Sequence, residues 1–197
     1  MADQVVPGSP VLRFSGSSSS VPFPRCYWVV PGNLLAGCYP GSLYPKEAEK
    51  KLKGLLDHGI RHVINLMEPD EFNWDRKPFK PYEGQMRAIA ESMEIEVTFE
   101  RVPIRDGWVS AHEDMVATLD SIDFHIEKGQ PVHVHCWGGR GRTGTVVGCY
   151  LVRHGLCGPH EAVDRIRELR RHTEDRDETS PESRRQVEML LSWSKGE

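Results

Sequence analysis

Cys136 and Arg142 are separated by five residues, three of them glycine, in the run His135-Cys136-Trp137-Gly138-Gly139-Arg140-Gly141-Arg142-Thr143-Gly144. An apolar stretch with helical character follows, and a short Val/His strand precedes it. Glycines let a backbone bend so that successive N–H groups point inward and form an anion-binding nest. The N-terminal end of the following helix adds its partial positive charge at the same place. Arg142 offers a planar fork that grips two oxygens at once. Such surroundings favour the thiolate form of a cysteine, which is the nucleophile. The chemistry implied is attack by Cys136 on the phosphorus of a phosphate ester held by the backbone of Trp137, Gly138, Gly139, Arg140 and Gly141 together with Arg142. The competing reading is a glycine-rich turn around an inert buried cysteine.

The string His-Cys-x5-Arg-Thr-Gly resembles the signature loop of the cysteine-dependent protein tyrosine phosphatases. The chain is most similar to their compact, dual-specificity-like branch, which includes small prokaryotic members, and the resemblance runs from about Trp28 to Trp193. It implies an α/β fold, a mostly parallel central sheet with helices on both faces, and hydrolysis through a phosphocysteine intermediate without a cofactor. It also implies that His135 orders the loop and helps hold Cys136 ionised. Thr143 is expected to donate its hydroxyl to the Cys136 sulfur, or to cap the helix.

Breaking the ester needs a proton on the leaving oxygen, a step worth about 10²–10⁴-fold. Asp106, in Ile104-Arg105-Asp106-Gly107-Trp108, follows a strand and precedes a glycine, 30 residues before Cys136. The arrangement resembles the mobile general-acid loop of the compact phosphatases. Asp70, Asp75, Asp120 and Asp123 compete, the last two being expected to face solvent from a helix. Trp137 and Arg140 are expected to point outward at the rim, toward the organic part of the substrate. Gln186 or Ser183 would approach the cradle, as a glutamine does in some relatives. His133 and His135 share a strand face beside Cys136, yet a cation there would compete with Arg142, so no metal is expected.

The elements that must position these groups alternate between strand and helix patterns, which argues a mostly parallel sheet covered on both faces. In such sheets ligands bind beyond the carboxyl ends of the strands. Cys26–Val30 and Leu34–Gly37 read as two paired edge strands. Pro45 opens a helix with Ala48, Leu52, Leu55 and Leu56 on one face, closed near Gly59. Ile60–Leu66 is a strand, 68–81 a charged surface loop, Tyr82–Met93 a helix, and Ile95–Ile104 an extended segment. Ala111–Glu127 is a helix, Val132–His135 the central strand, and the helix after the cradle is apolar nearly all round and hence buried. Pro159–Arg171 and Pro181–Trp193 complete the helices, with Ser180 as an N-cap for the last.

The chain has 197 residues and a formal charge of −4, with a pI near 6.1. That is enough for one domain with a full core, here 25–197, preceded by a Ser/Pro-rich arm over 1–24 expected to be flexible. The charge balance argues against a nucleic-acid partner. No apolar run of membrane-spanning length or secretory leader is seen, so no membrane association is expected. A thiolate nucleophile suits a reducing cytoplasm, and a monomer is expected. Cys26, Cys38, Cys136, Cys149 and Cys157 lack metal-type spacing. A stress disulfide from Cys136 to one of the others is conceivable, its partner open.

The expected substrate is a phosphotyrosyl protein or peptide, with phosphoserine and phosphothreonine also admissible and phosphate and vanadate as inhibitors. Phosphoinositides or other small phosphate esters are the alternative. They are disfavoured because Gly138 and Gly141 stand where lipid phosphatases of the superfamily carry lysines. A catalytically silent phosphopeptide-binding module and a sulfur-transfer enzyme are further alternatives, argued against by the joint presence of Cys136, Arg142 and Asp106.

Overall fold

A computed structural model describes residues 20–197. Most of the expected Ser/Pro-rich arm, residues 1–19, lies outside the described residues. At its end, Phe23 is already packed into the core at 6% exposure.

Five strands form one sheet: β1 (Cys26–Val30), β2 (Leu34–Cys38), β3 (His62–Asn65), β4 (Thr98–Arg101) and β5 (Val132–Cys136). Their spatial order is β1-β2-β5-β3-β4. Only β1 runs antiparallel, paired with β2 through the tight connection at Gly32. The other neighbours are parallel, with Cys38 in register with Cys136 and Asn65 with His135. β5 is central and every one of its residues is buried, as expected for a strand covered on both faces.

The helices are α1 (Pro45–Asp57), α2 (Glu83–Ser92), α3 (His112–Glu127), α4 (Gly141–Arg153), α5 (Ala162–Arg170) and α6 (Arg184–Ser192). α1 starts on Pro45 and buries Ala48, Leu52, Leu55 and Leu56, the apolar face visible in the sequence. It shares an apolar cluster with Met86 and Ala90 of α2 on one side of the sheet. The other cluster joins Leu119 of α3, Val146 and Tyr150 of α4, Ile166 of α5 and Leu190 of α6. The sheet is thus covered on both faces. α4 is the innermost helix, buried from Gly141 to Val152.

Two elements differ from expectation. The extended segment 95–104 keeps ladder geometry only over β4. Beyond it Pro103 has no N–H to donate, and the chain stays on β3 through Val102 N to Asn65 O (2.9 Å) and Ile104 N to Leu66 O (3.1 Å). The last helix begins at Arg184, not at Pro181. Its cap is Ser183, in a reciprocal capping box with Gln186. Ser180 instead donates its hydroxyl to the Arg140 carbonyl at 2.8 Å, which ties the segment before α6 to the cradle.

Candidate active site

β5 ends at Cys136 and α4 begins at Gly141, so the intervening loop sits at the carboxyl edge of the sheet. Gly139 lets it close. Its φ is +76°, and a Cβ there would lie 2.5 Å from Gly37 C and 2.6 Å from Cys38 N. Only a glycine permits both that backbone sign and that approach. The loop is pinned to β2 by Tyr39 N donating to Trp137 O at 3.1 Å. The Arg25 guanidinium donates to Gly138 O at 3.0 Å on its outer side. Inside, Gly139 N–H points at Cys136 Sγ, 3.3 Å away.

Arg142 is 1% exposed. Nη1 donates to Ile104 O at 2.9 Å and lies 3.4 Å from Leu66 O. Glu71 takes the fork in a two-point pair, Nη1 to Oε1 and Nη2 to Oε2, the latter at 3.1 Å. Asp106 Oδ1 is 3.1 Å from Nη2. Burial works most strongly against the Arg142 charge, but Glu71, Cys136 and Asp106 together outweigh it and the guanidinium is held charged more firmly than usual. The nucleophile candidate, the arginine and the acid candidate therefore meet at one mouth, with Asp106 on an exposed loop after β4. Gly107, at φ +72°, turns that loop back over the site.

His135 is fully buried, with Nε2 2.6 Å from the Tyr82 hydroxyl and Nδ1 3.2 Å from Cys136 O. Burial pushes its pKa well below the ordinary histidine range, so the ring is neutral. A carbonyl only accepts, which assigns the proton to Nδ1 and makes Tyr82 the donor to Nε2. The expected support of the loop by hydrogen bonding is present. A neutral ring, however, offers no positive charge to hold a thiolate.

Three expectations need correction. Arg140 does not reach toward a ligand. Its guanidinium is taken by Glu178 (2.8 Å) and Glu182 (2.6 Å), with Asp175 3.9 Å from Nε. The Thr143 hydroxyl is buried and has no hydrogen-bond partner among the described residues. It neither donates to the Cys136 sulfur nor caps α4, whose N-cap position is Arg140. Asp123 does not face solvent, since it contacts Arg153 and His154; Asp120 pairs with Arg153, and neither acid joins the site. Trp137 packs against Phe79 and Trp74, with ring centroids 5.5 and 4.8 Å away. Gln186 lies behind the loop. Its Oε1 accepts from Glu182 N and Ser183 N, and Nε2 donates to Trp108 O at 3.1 Å. It bridges α6 to the acid loop, and a Cβ on Gly141 would lie 3.1 Å from Nε2.

Glu71 and Tyr82 were not singled out by the sequence. Both come from the 66–82 stretch after β3, where several acids and aromatics compete and spacing favours none. Among the described residues no group of three or more His, Cys, Asp or Glu side chains could hold a metal ion. No helix among them is long and apolar enough to cross a membrane.

The family model "Swiss Army Knife protein, DSP-PTPase phosphatase domain" matches residues 23–190. Among curated proteins, the mouse "Phosphatidylglycerophosphatase and protein-tyrosine phosphatase 1" is 42% identical over 133 residues, 67% of this chain and 63% of that protein. The bovine "Protein tyrosine phosphatase domain-containing protein 1" is 30% identical over 143 residues, 71% of this chain and 17% of its own length. The chain thus spans less than two thirds of either relative. The crystal structure of Tk-PTP in the active form superposes with a TM-score of 0.62 at 23% identity, covering 85% of this chain and 95% of that one, which shows a shared fold.

Proposed function

The chain belongs to the DSP-PTPase family, the dual-specificity branch of the cysteine-dependent tyrosine phosphatases, and on that premise we propose that it hydrolyses phosphotyrosine in proteins through a phosphocysteine intermediate. The reading is carried by one observation: Cys136 Sγ faces the Gly139 N–H at 3.3 Å while Arg142 and Asp106 meet at 3.1 Å across the same mouth. In the first step the Cys136 thiolate attacks phosphorus, the S–P bond forms and the ester P–O bond breaks. Asp106 gives its proton to the leaving oxygen. The incoming dianion takes the Nε–Nη2 edge of Arg142, whose Nε has no hydrogen-bond partner among the described residues. It displaces Asp106 from Nη2 and leaves it beside the leaving group, while Glu71 keeps the other edge. In the second step water attacks phosphorus, Asp106 takes its proton, the S–P bond breaks and phosphate departs. Arg142 and the loop N–H groups stabilise the charge on the equatorial oxygens throughout.

Cys136→Ser tests this with p-nitrophenyl phosphate and a phosphotyrosyl peptide in the presence of EDTA. Turnover by the unaltered protein under chelation, lost in the variant while substrate binding persists, is expected. Retained turnover in the variant overturns the nucleophile.

A second reading, hydrolysis of a phospholipid monoester, has support in the mouse relative, whose name joins a lipid and a protein activity. Phe72 and Trp74 also project into solvent beside the mouth, as interfacial aromatics do. Comparing phosphopeptides with phosphatidylglycerophosphate in vesicles decides between the two.

A further inference from the structure

The arginines built into the cradle and its back wall are each paired with an acid. Arg142 holds Glu71 and Asp106, and Arg140 holds Glu178 and Glu182. Arg25 and Arg170 both hold Asp175. Two arginines next to the site differ. Arg105 immediately precedes the acid candidate Asp106, and Arg185 immediately precedes Gln186, whose amide lies against the loop at Gly141. Both are exposed. They converge on one side chain, Trp108, with guanidinium carbons 5.1 and 3.9 Å from its ring centroid. Among the described residues neither has an ion pair or a side-chain hydrogen bond to an acid. The indole is 44% exposed, and the backbone that carries it is held by the Gln186 amide on Trp108 O and by Trp108 N on Arg105 O (3.0 Å).

An unpaired arginine on a surface is ordinarily just hydrated. Two of them stacked on one indole with a held backbone, beside a mouth whose other arginines are paired with acids, form a defined cationic position. Stacking restricts the long side chains before any ligand arrives, so less freedom is lost when their N–H edges meet an anion. The phosphate itself belongs to Arg142 and the loop. The second cationic position therefore suits a separate negative group on the same substrate.

We propose that Arg105, Trp108 and Arg185 form a second anion subsite that selects phosphotyrosyl sequences carrying an aspartate or glutamate next to the phosphorylated residue. This rests on the protein-substrate reading above and narrows it. A peptide is favoured over a lipid because the subsite lies on the loop that carries Asp106 and at the start of α6, within reach of a chain that extends sideways from a phosphotyrosine in the cradle. The aromatics Phe72 and Trp74, by contrast, belong to the loop after β3. Substrate binding here also secures the loop that carries Asp106.

The test compares kcat/KM for matched phosphotyrosyl peptides flanked by glutamate, alanine or lysine, with p-nitrophenyl phosphate and vesicle-borne phosphatidylglycerophosphate alongside. Each exposed charge pair is worth at most about fivefold, so the unaltered protein should prefer glutamate over alanine flanks by roughly 5- to 20-fold at low salt. The preference should shrink in 1 M salt, where screening acts within about 3 Å. Arg105→Gln and Arg185→Gln should each lower the glutamate/alanine ratio, the double variant should bring it near one, and Arg185→Glu should shift preference toward lysine flanks. A glutamate/alanine ratio near one in the unaltered protein, or a ratio indifferent to both substitutions, overturns the subsite while leaving the phosphotyrosine reading intact. Turnover of p-nitrophenyl phosphate and of the vesicle substrate but of no peptide overturns that reading and the peptide subsite with it.

Discussion

Glu71→Gln removes one negative charge from a site where a buried guanidinium depends on it. In the resting structure Glu71 makes both contacts of a two-point pair with Arg142 and is itself oriented by the Glu68 N–H at 2.8 Å. Deleting one partner of a buried ion pair costs about 3–5 kcal/mol, because the remaining charge stays desolvated. Here glutamine keeps one acceptor, and Ile104 O and Asp106 keep their contacts with Arg142, so the loss should be smaller, about 2 kcal/mol. For a domain of this size that is about 4–8 °C in Tm. Catalysis should suffer as well, since the pair sets the plane of the fork that clamps phosphate. A misdirected fork should lower kcat/KM for p-nitrophenyl phosphate by roughly 10- to 100-fold, about 1.4 to 2.7 kcal/mol of transition-state stabilisation. Glu68→Gln is the control, because the Glu68 contact to Glu71 runs through its backbone and survives. Thermal unfolding and steady-state kinetics of both variants check the reasoning. Glu71→Gln with Tm within a degree and kcat/KM within twofold of the unaltered protein would refute it.

Asp106→Asn should lower kcat for phosphotyrosine by about 10²–10⁴-fold while vanadate competes at least as well as before, because the substitution also removes the carboxylate that meets Arg142; unchanged kcat moves the acid elsewhere. Gly139→Ala forces a Cβ into the β2 backbone at a positive φ and should abolish turnover with at least about 1 kcal/mol of destabilisation, read by urea unfolding. His133 is buried and its pKa is pushed down to about 3, whereas in the unfolded chain it titrates near 6.5. The unfolded state thus binds a proton that the fold rejects, so stability is full above pH 6.5 and falls as pH drops toward 3, by about 2 kcal/mol at pH 5. His133→Phe should flatten that slope in paired urea titrations at pH 5 and 7, and an unchanged slope would assign the loss to other groups.

The parallel sheet and its cradle were legible because both are written locally. A Val/His strand, a glycine-rich turn and an apolar helix succeed one another over about twenty residues, and the chemistry depends on their order. The place of Asp106 beside Arg142 was legible for the same reason, as an acid between a strand end and a glycine. The capture of Arg140 was not, since Glu178 and Glu182 lie some 40 residues further on and no local pattern links them to it. Glu71 was hidden among Glu68, Asp70 and Asp75, which share its chemistry but not its position under Arg142. The Ser183 cap is present in the sequence as Ser-x-x-Gln, a recognisable capping box, but Ser180 before the proline offers a competing start for the same helix.

The contact between Gly139 and the backbone of Gly37 and Cys38 means that the reactive loop borrows its shape from a neighbour near the margin of the sheet. Among the described residues, the one strand on the far side of β2 is β1, a five-residue strand with an irregularity between Trp28 and Val30. Loosening of that outer hairpin would slacken the floor beneath the sulfur while the inner strands and α4 stayed folded. Mild denaturant should therefore silence the enzyme before spectroscopy sees it melt, and substitutions in the hairpin's outer strand, distant from any substrate atom, should behave as activity mutants.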